Sequence, residues 1–286
     1  MLMTTSDNRH SYAARIGRVV DYLHDHIEDE LDLDVLADVA AMSRWHWHRV
    51  YTAMQGETVV ATVRRLRLSR AADRLANSDA DLTDIAKRAG YTTAEAFGRA
   101  FKQSYGMTPG LYRERGSHAL FKAANRASDA TGFPVEIVTL PAMYCISMPH
   151  KGSYMQISRA FERLFAAVGP AGLIARQSHM IGVYHDDPDA VDETELRSAA
   201  CLPVDEGRAV PDRFETIRTR GGAYAKLSYQ GPYADMRDAY RWLMGVWLPA
   251  SGHDAADGPM LEDYLNSPAD TAPPDLRTDI LLPIEG

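Results

Sequence analysis

"LTDIAKRAGYTTAEAFGRAFKQSYG", residues 82–106, has a second copy earlier in the chain, and that repetition decides the fold of the first half. Set against "LDVLADVAAMSRWHWHRVYTAMQG", residues 33–56, it matches Leu33 to Leu82, Ala37 to Ala86 and Ala40 to Ala89 at a constant offset of 49. Past the turn the offset becomes 50, and Ser43, Arg49, Tyr51, Gly56 and Thr58 fall on Thr93, Arg99, Phe101, Gly106 and Thr108. Each copy reads as a short helix, a tight turn at Ala41-Met42 or Gly90-Tyr91, and a second helix that starts at a Ser/Thr cap and ends before a glycine. The pattern predicts two helix-turn-helix units. A plain helical solenoid needs at least about three copies to bury its faces, and only two are present.

Helical periodicity sorts the second helix of the first copy into two faces. Trp47, Val50, Tyr51 and Met54 fall at i, i+3, i+4 and i+7 and form an apolar stripe, so Trp47 belongs to the core. The opposite side collects Arg44, Trp45, His48, Arg49 and Thr52. Guanidinium and imidazole groups bind guanine edges or phosphates, and an indole offers apolar contact to thymine methyls or sugars, so this face is expected to read double-stranded DNA. His46 and His48 point about 200° apart on a helix and cannot share a metal ion. In the second copy Phe97, Ala100 and Phe101 form the core face. Its exposed positions, Thr93, Ala94, Glu95, Gly98 and Arg99, hold fewer base-reading groups, which predicts unequal readout. Between the copies "TVVATVRRLRLSRAADRLANS" reads as one amphipathic helix. About 19 helical residues span roughly 28 Å, a little less than the roughly 34 Å of one DNA turn, so both units are expected to enter successive major grooves.

Charge supports the division. The chain of 286 residues carries a net charge of −8, but residues 1–126 hold 18 Lys+Arg against 16 Asp+Glu, and residues 127–286 hold 13 against 23. Seven arginines lie within residues 40–77 against Glu57 and Asp73, a cluster read as a nucleic-acid footprint. The longest apolar runs fall short of the roughly 20 residues that span a bilayer. The N-terminus "MLMTTSDNRHSYAARIGR" lacks a secretory signal, so a cytoplasmic location without membrane contact is expected. Cys145 and Cys201 form no CxxC spacing, and neither a metal site nor a disulfide is expected from them.

These residues carry a family resemblance. "SRWHWHRVY", "RLANS" followed by "LTDIAKRAGY", and "AFGRAFKQSYGMTPGLYRE" resemble the DNA-binding domain of AraC/XylS-type transcription regulators over about residues 11–115. The domain stands first in the chain here, an arrangement that Rob-like members of that family share.

Residues 116–133, "GSHALFKAANRASDATGF", read as a linker or frayed helix. Beyond it, strand-like runs alternate with amphipathic helices, and "KGSYMQISRAFERLF" matches "QGPYADMRDAYRWLM" at offset 79: Gly152, Tyr154, Ala160, Phe161 and Leu164 on Gly231, Tyr233, Ala239, Tyr240 and Leu243. The reading is a multidomain chain with an all-α domain of two helix-turn-helix units over 1–115, a linker over 116–133, and an α+β domain of two pseudo-symmetric repeats over 134–286. The second half resembles gyrase-inhibitor-like effector-binding domains. That resemblance implies a groove between the two halves for bulky, often cationic, aromatic small molecules. It places Glu262, in "LEDY", as the acidic group of the groove, with Tyr184, Trp247 and Tyr264 around it and Trp242 left to packing. A carboxylate among aromatic rings attracts an organic cation by charge and cation–π terms.

Two other functions compete with a one-component regulator. An enzyme reading uses Glu262, Tyr264 and Trp247 as acid/base groups acting on electrophilic small molecules, as some stand-alone relatives of the second domain resemble hydrolases. A third reading has the acidic half bind a protein partner such as RNA polymerase. No phosphate loop, zinc signature or nucleophile elbow suggests other chemistry or a cofactor. "HDDPD", from His185 to Asp189, reads as a solvated loop rather than a metal site, because metal sites need convergent ligands.

Overall fold

The computed structural model describes residues 5–43, 47–115, 132–169, 173, 179–212 and 214–286. Among the described residues seven helices precede residue 116: α1 (Thr5–Asp25), α2 (Leu33–Ala40), α3 (Trp47–Gln55), α4 (Val59–Asn77), α5 (Leu82–Arg88), α6 (Ala94–Tyr105) and α7 (Pro109–Arg115). Side-chain caps start them where the sequence puts Asp or Thr: Asp32 on α2, Thr58 on α4, Asp81 on α5 and Thr93 on α6. The two units are α2–α3 and α5–α6, each with its own core. Trp47 and Tyr51 are buried in the first with Val19, Leu36 and Val63, while Phe97 and Phe101 are buried in the second with Leu75, Ile85 and Tyr112. The tight turns use left-handed backbone, φ 49° at Ala41 and φ 83° at Gly90. Only the second has glycine there, and a Cβ on Gly90 would come within 2.3 Å of the Arg67 guanidinium, which packs over it.

The described residues from 132 onward form one antiparallel sheet with helices on one face. Its strands are β1 (Val135–Leu140), β2 (Tyr144–Lys151), β3 (Met180–Tyr184), β4 (Arg197–Pro203), β5 (Glu215–Arg218), β6 (Gly222–Gln230), β7 (Met260–Tyr264) and β8 (Arg277–Pro283), in the order β1-β6-β8-β7-β3-β4-β2-β5. A short 3₁₀ turn, Tyr154–Gln156, and helix α8 (Ser158–Val168) follow β2; a second 3₁₀ turn, Tyr233–Asp235, and α9 (Met236–Trp242) follow β6. The chain then passes through a π-helical turn, Leu243–Trp247, into α10 (Leu248–Ser251). Equivalent hydrogen bonds recur: the amide of Gly152 reaches Leu196 O, and that of Gly231 reaches Leu276 O, each at 2.9 Å. Phe133, at the end of the expected linker, packs with Tyr229 and Trp242.

Strand periodicity fixes what each face touches. On β4, Ala200 and Leu202 meet α8, while Ala199 and Cys201 face the other side of the sheet; on β8, Ile280 and Leu282 meet α9 and Leu281 faces away. Helix α8 therefore covers β2 and β4, and α9 covers β6 and β8. The central pair, β3 and β7, joined in register Gly182 to Glu262, is left between the helices as a floor.

Candidate functional site

His48 and Arg49 lie exposed on α3, and neither forms an ion pair with a described residue. Arg44 and Trp45, expected on the same face, lie outside the described residues. On α6, Glu95 and Arg99 are exposed and Ala94 is half-buried, but the Thr93 hydroxyl accepts from the Ala96 amide at 3.1 Å, so its side chain is already committed to the cap. Much of the arginine cluster turns out to brace the fold. Arg65 grips Glu57 and Glu162, Arg67 donates to the Ile27 carbonyl at 2.6 Å, Arg70 to the His24 carbonyl at 3.0 Å, and Arg74 pairs with Glu28. Only part of that charge therefore faces outward, because α4 is packed along one side by the end of α1 and the acidic turn that follows it.

The floor strands carry the second site. Glu262 on β7 is buried, yet both its oxygens are bonded: Tyr240 Oη donates to Oε1 at 2.5 Å and Tyr264 Oη donates to Oε2 at 2.6 Å. Tyr184 Oη lies 2.5 Å from Tyr264 Oη and supplies the proton to that contact, since the Tyr264 proton goes to Glu262. Tyr184 lies flat over Gly182, where a Cβ would come within 2.7 Å of its ring. Further rings stand edge-on around this cluster: Tyr154 against Tyr184 at 4.8 Å, and Phe161 and Tyr233 against Tyr264 at 5.4 and 5.5 Å. Burial pushes the Glu262 carboxyl above its ordinary value, and the three tyrosine hydroxyls oppose that push without cancelling it. Burial and the neighbouring carboxylate together hold Tyr184, Tyr240 and Tyr264 well above the usual phenol range, so they stay protonated donors.

The structure brings Glu262, Tyr184 and Tyr264 together and places Trp247 away from them. That indole is half-buried on the core of Phe133, Tyr229 and Leu243 and stacks with His253 at 6.3 Å. The expectation fails because of the π-helical turn: one extra residue rotates the following side chains by about 100° relative to α9. Tyr240 occupies the place assigned to Trp247. Tyr154, Phe161 and Tyr233 were also missed as groove residues, although the repeat alignment pairs Tyr154 with Tyr233 and Phe161 with Tyr240. In the "HDDPD" loop Asp186 is held by Arg197 at 2.7 Å and Asp189 by Arg237, and no group of three potential metal ligands occurs among the described residues.

The groove opens into a cavity of about 1460 Å³. Its far side is helical: the Thr58 cap and Val60, Ala61, Arg64 and Leu68 of α4 line the same space as Glu262 and Tyr184. The halves are locked beside it. Ala166 of α8 enters the core of the first helix-turn-helix unit, Ala234 enters the core of the second, and Tyr112 of α7 donates to buried Asp235 at 2.9 Å.

Paired helix-turn-helix units beside a sheet with a carboxylate-bearing groove define a DNA-binding protein with a ligand-binding half. Residues 133–285 match the GyrI-like small molecule binding domain, and residues 36–115 match a helix-turn-helix domain. The Right origin-binding protein of Escherichia coli (strain K12) is 25% identical over 275 residues, covering 92% of this chain and 95% of its own. Regulatory protein SoxS of Salmonella typhimurium is 30% identical over 105 residues, 37% of this chain and 98% of its own. A cryo-EM structure of an EcmrR–DNA complex is 15% identical with a TM-score of 0.48, covering 87% of this chain and 84% of that one. The chain belongs to the AraC-type DNA-binding transcription regulators that carry a GyrI-like small molecule binding domain. Among the described residues no helix is long and apolar enough to cross a membrane.

Proposed function

We propose that the groove takes a lipophilic aromatic cation as effector and that its occupancy regulates DNA binding by the two helix-turn-helix units. One observation carries the ligand class: a buried carboxylate, Glu262, bonded by Tyr240 and Tyr264 and ringed by aromatic side chains. A neutral ligand gains only apolar contact there, whereas a cation also gains the carboxylate and the ring faces. In this reading Arg44, Trp45, His48 and Arg49 read bases from α3 and the segment before it. Ala94, Glu95 and Arg99 make the weaker contacts of α6, with Thr93 acting through its cap. Residues 1–115 form the DNA-binding domain and 134–286 the effector domain, with 116–133 between them, in a cytoplasmic protein. Duplication of the effector domain is supported by the matched glycine hydrogen bonds and by the central β3–β7 pairing of two strand-helix-strand-strand units.

The test is calorimetry on the full chain with tetraphenylphosphonium and with triphenylphosphine oxide, a neutral analogue of similar bulk. The wild type is expected to prefer the cation, and Glu262→Gln to lose most of that preference while still binding both. A Glu262→Gln protein that keeps the preference would place the acidic group elsewhere.

A further inference from the structure

We infer that α4, the helix that spaces the two helix-turn-helix units, is also a wall of the effector site, so that one bound cation touches both halves of the chain. The inference rests on the groove reading above and adds the ligand's second point of contact. Val59 and Val63 of α4 are buried in their own domain, but Val60 between them is 57% exposed and faces the cavity. Across the same cavity Met244 is 46% exposed. Val60, Ala61 and Met244 together give the cavity an apolar edge contributed by both halves of the chain.

The size of the space supports the same assignment. Sites for drug-sized molecules commonly enclose about 300–1,000 Å³, and this cavity exceeds that range because it extends from the β3–β7 floor to α4. An occupant whose charge sits at Glu262 has an apolar arm long enough to lie between Met244 and the Val60–Ala61 edge of α4. The ligand class is therefore a cation with more than one ring or a ring and a chain, rather than a compact ammonium ion. Because such a ligand contacts the helix that sets the relative placement of α3 and α6, its binding free energy depends on that placement, and DNA bound to both units changes its affinity by the same factor.

Thiol protection tests the wall directly. Cys145 and Cys201 are both fully buried, so in Val60→Cys the introduced thiol is the one that N-ethylmaleimide reaches. Tetraphenylphosphonium at about nine times its Kd for that variant, measured by calorimetry, is expected to slow alkylation about tenfold by simple occupancy. Ile137→Cys, at a 48% exposed position outside the cavity, should react at an unchanged rate. Alkylation of Val60→Cys that stays fast at saturating tetraphenylphosphonium overturns the inference and leaves the groove reading intact. Protection that persists at an unshifted concentration when Glu262→Gln is added keeps the wall and removes the role of the carboxylate. A wild-type chain that does not bind the cation overturns both.

Discussion

His24 of α1 and Glu162 of α8 meet at 3.0 Å with both side chains buried, and Arg65 of α4 donates to the other oxygen of the same carboxylate at 3.1 Å. The three elements come from both sides of the boundary between the halves. Gln55 of α3 adds a bond to the Glu162 carbonyl at 3.0 Å. Glu162 follows Phe161, whose ring touches Tyr264, so one turn of α8 faces the groove and the DNA-binding domain at once.

Breaking this joint should be expensive. Burial raises the Glu162 carboxyl, but the hydrogen bonds and charges of His24 and Arg65 outweigh it and hold the group below its ordinary 4.5. A carboxylate lowered in the folded state stabilises above its unfolded value, and that contribution disappears as pH falls through the folded one. Glu162→Gln should lose about 3–5 kcal/mol at neutral pH, as when one partner of a buried ion pair is removed. Urea denaturation as a function of pH should also show a flatter acid limb for the variant. Equal acid limbs in the two proteins would show that the joint contributes little.

Cation binding should follow the opposite shift at Glu262. Its carboxyl is raised, so affinity for tetraphenylphosphonium is full above the raised value and falls as pH drops through it. Tyr240→Phe removes one donor to the charged form and should move that midpoint upward. Glu262→Gln should flatten the profile and be no less stable than wild type at neutral pH, because burying a charge costs folding energy. A Tyr240→Phe midpoint at or below the wild-type one would count against the assignment.

Trp247 and Tyr240 separate packing from recognition. Trp247→Ala should destabilise the chain by about 2 kcal/mol, less than a fully buried indole, and leave the preference for cations over neutral analogues unchanged. Thermal unfolding and calorimetry on the same samples decide it. A collapse of charge preference in Trp247→Ala would return the indole to the groove.

On the DNA side, Arg49→Ala should cost about 1–3 kcal/mol, concentrated at one base position if the guanidinium reads an edge. Selection from random duplexes should show sequence preference relaxed more by His48→Ala with Arg49→Ala than by Glu95→Ala with Arg99→Ala. Arg67→Ala should instead weaken folding, since that side chain is spent on the Ile27 carbonyl. Better definition of the half-site read by α6 would reverse the ranking of the two units.

The first half was legible because its pattern occurs twice, and matched positions such as Tyr51 and Phe101 report a shared core better than any single propensity. Glu262 was found through the resemblance, since a lone glutamate on a strand gives no sign of burial. Tyr240 was within reach, because its repeat partner Phe161 and the pair Tyr154 and Tyr233 mark symmetric positions on the two groove helices. The π-helical turn that follows it leaves no trace in hydrophobic periodicity, and without that turn Trp247, seven residues on, shares the face of Tyr240. The roles of Arg65 and Glu162 were not readable at all. Both sit among ordinary charged residues of amphipathic helices, and only docking of the halves buries them.

Helix α4 runs for 19 residues from the Thr58 cap without a glycine or proline, and each end leads into one helix-turn-helix unit. A beam of this kind does not bend in parts. On the proposal above, a push on its first turns is carried to both units, because Val59 and Val63 tie one end of the helix to the first core and Ala72 and Leu75 tie the other end to the second. An effector acting through this helix is therefore expected to alter the phasing between the two half-sites, changing which operator spacing fits before it changes which bases are read.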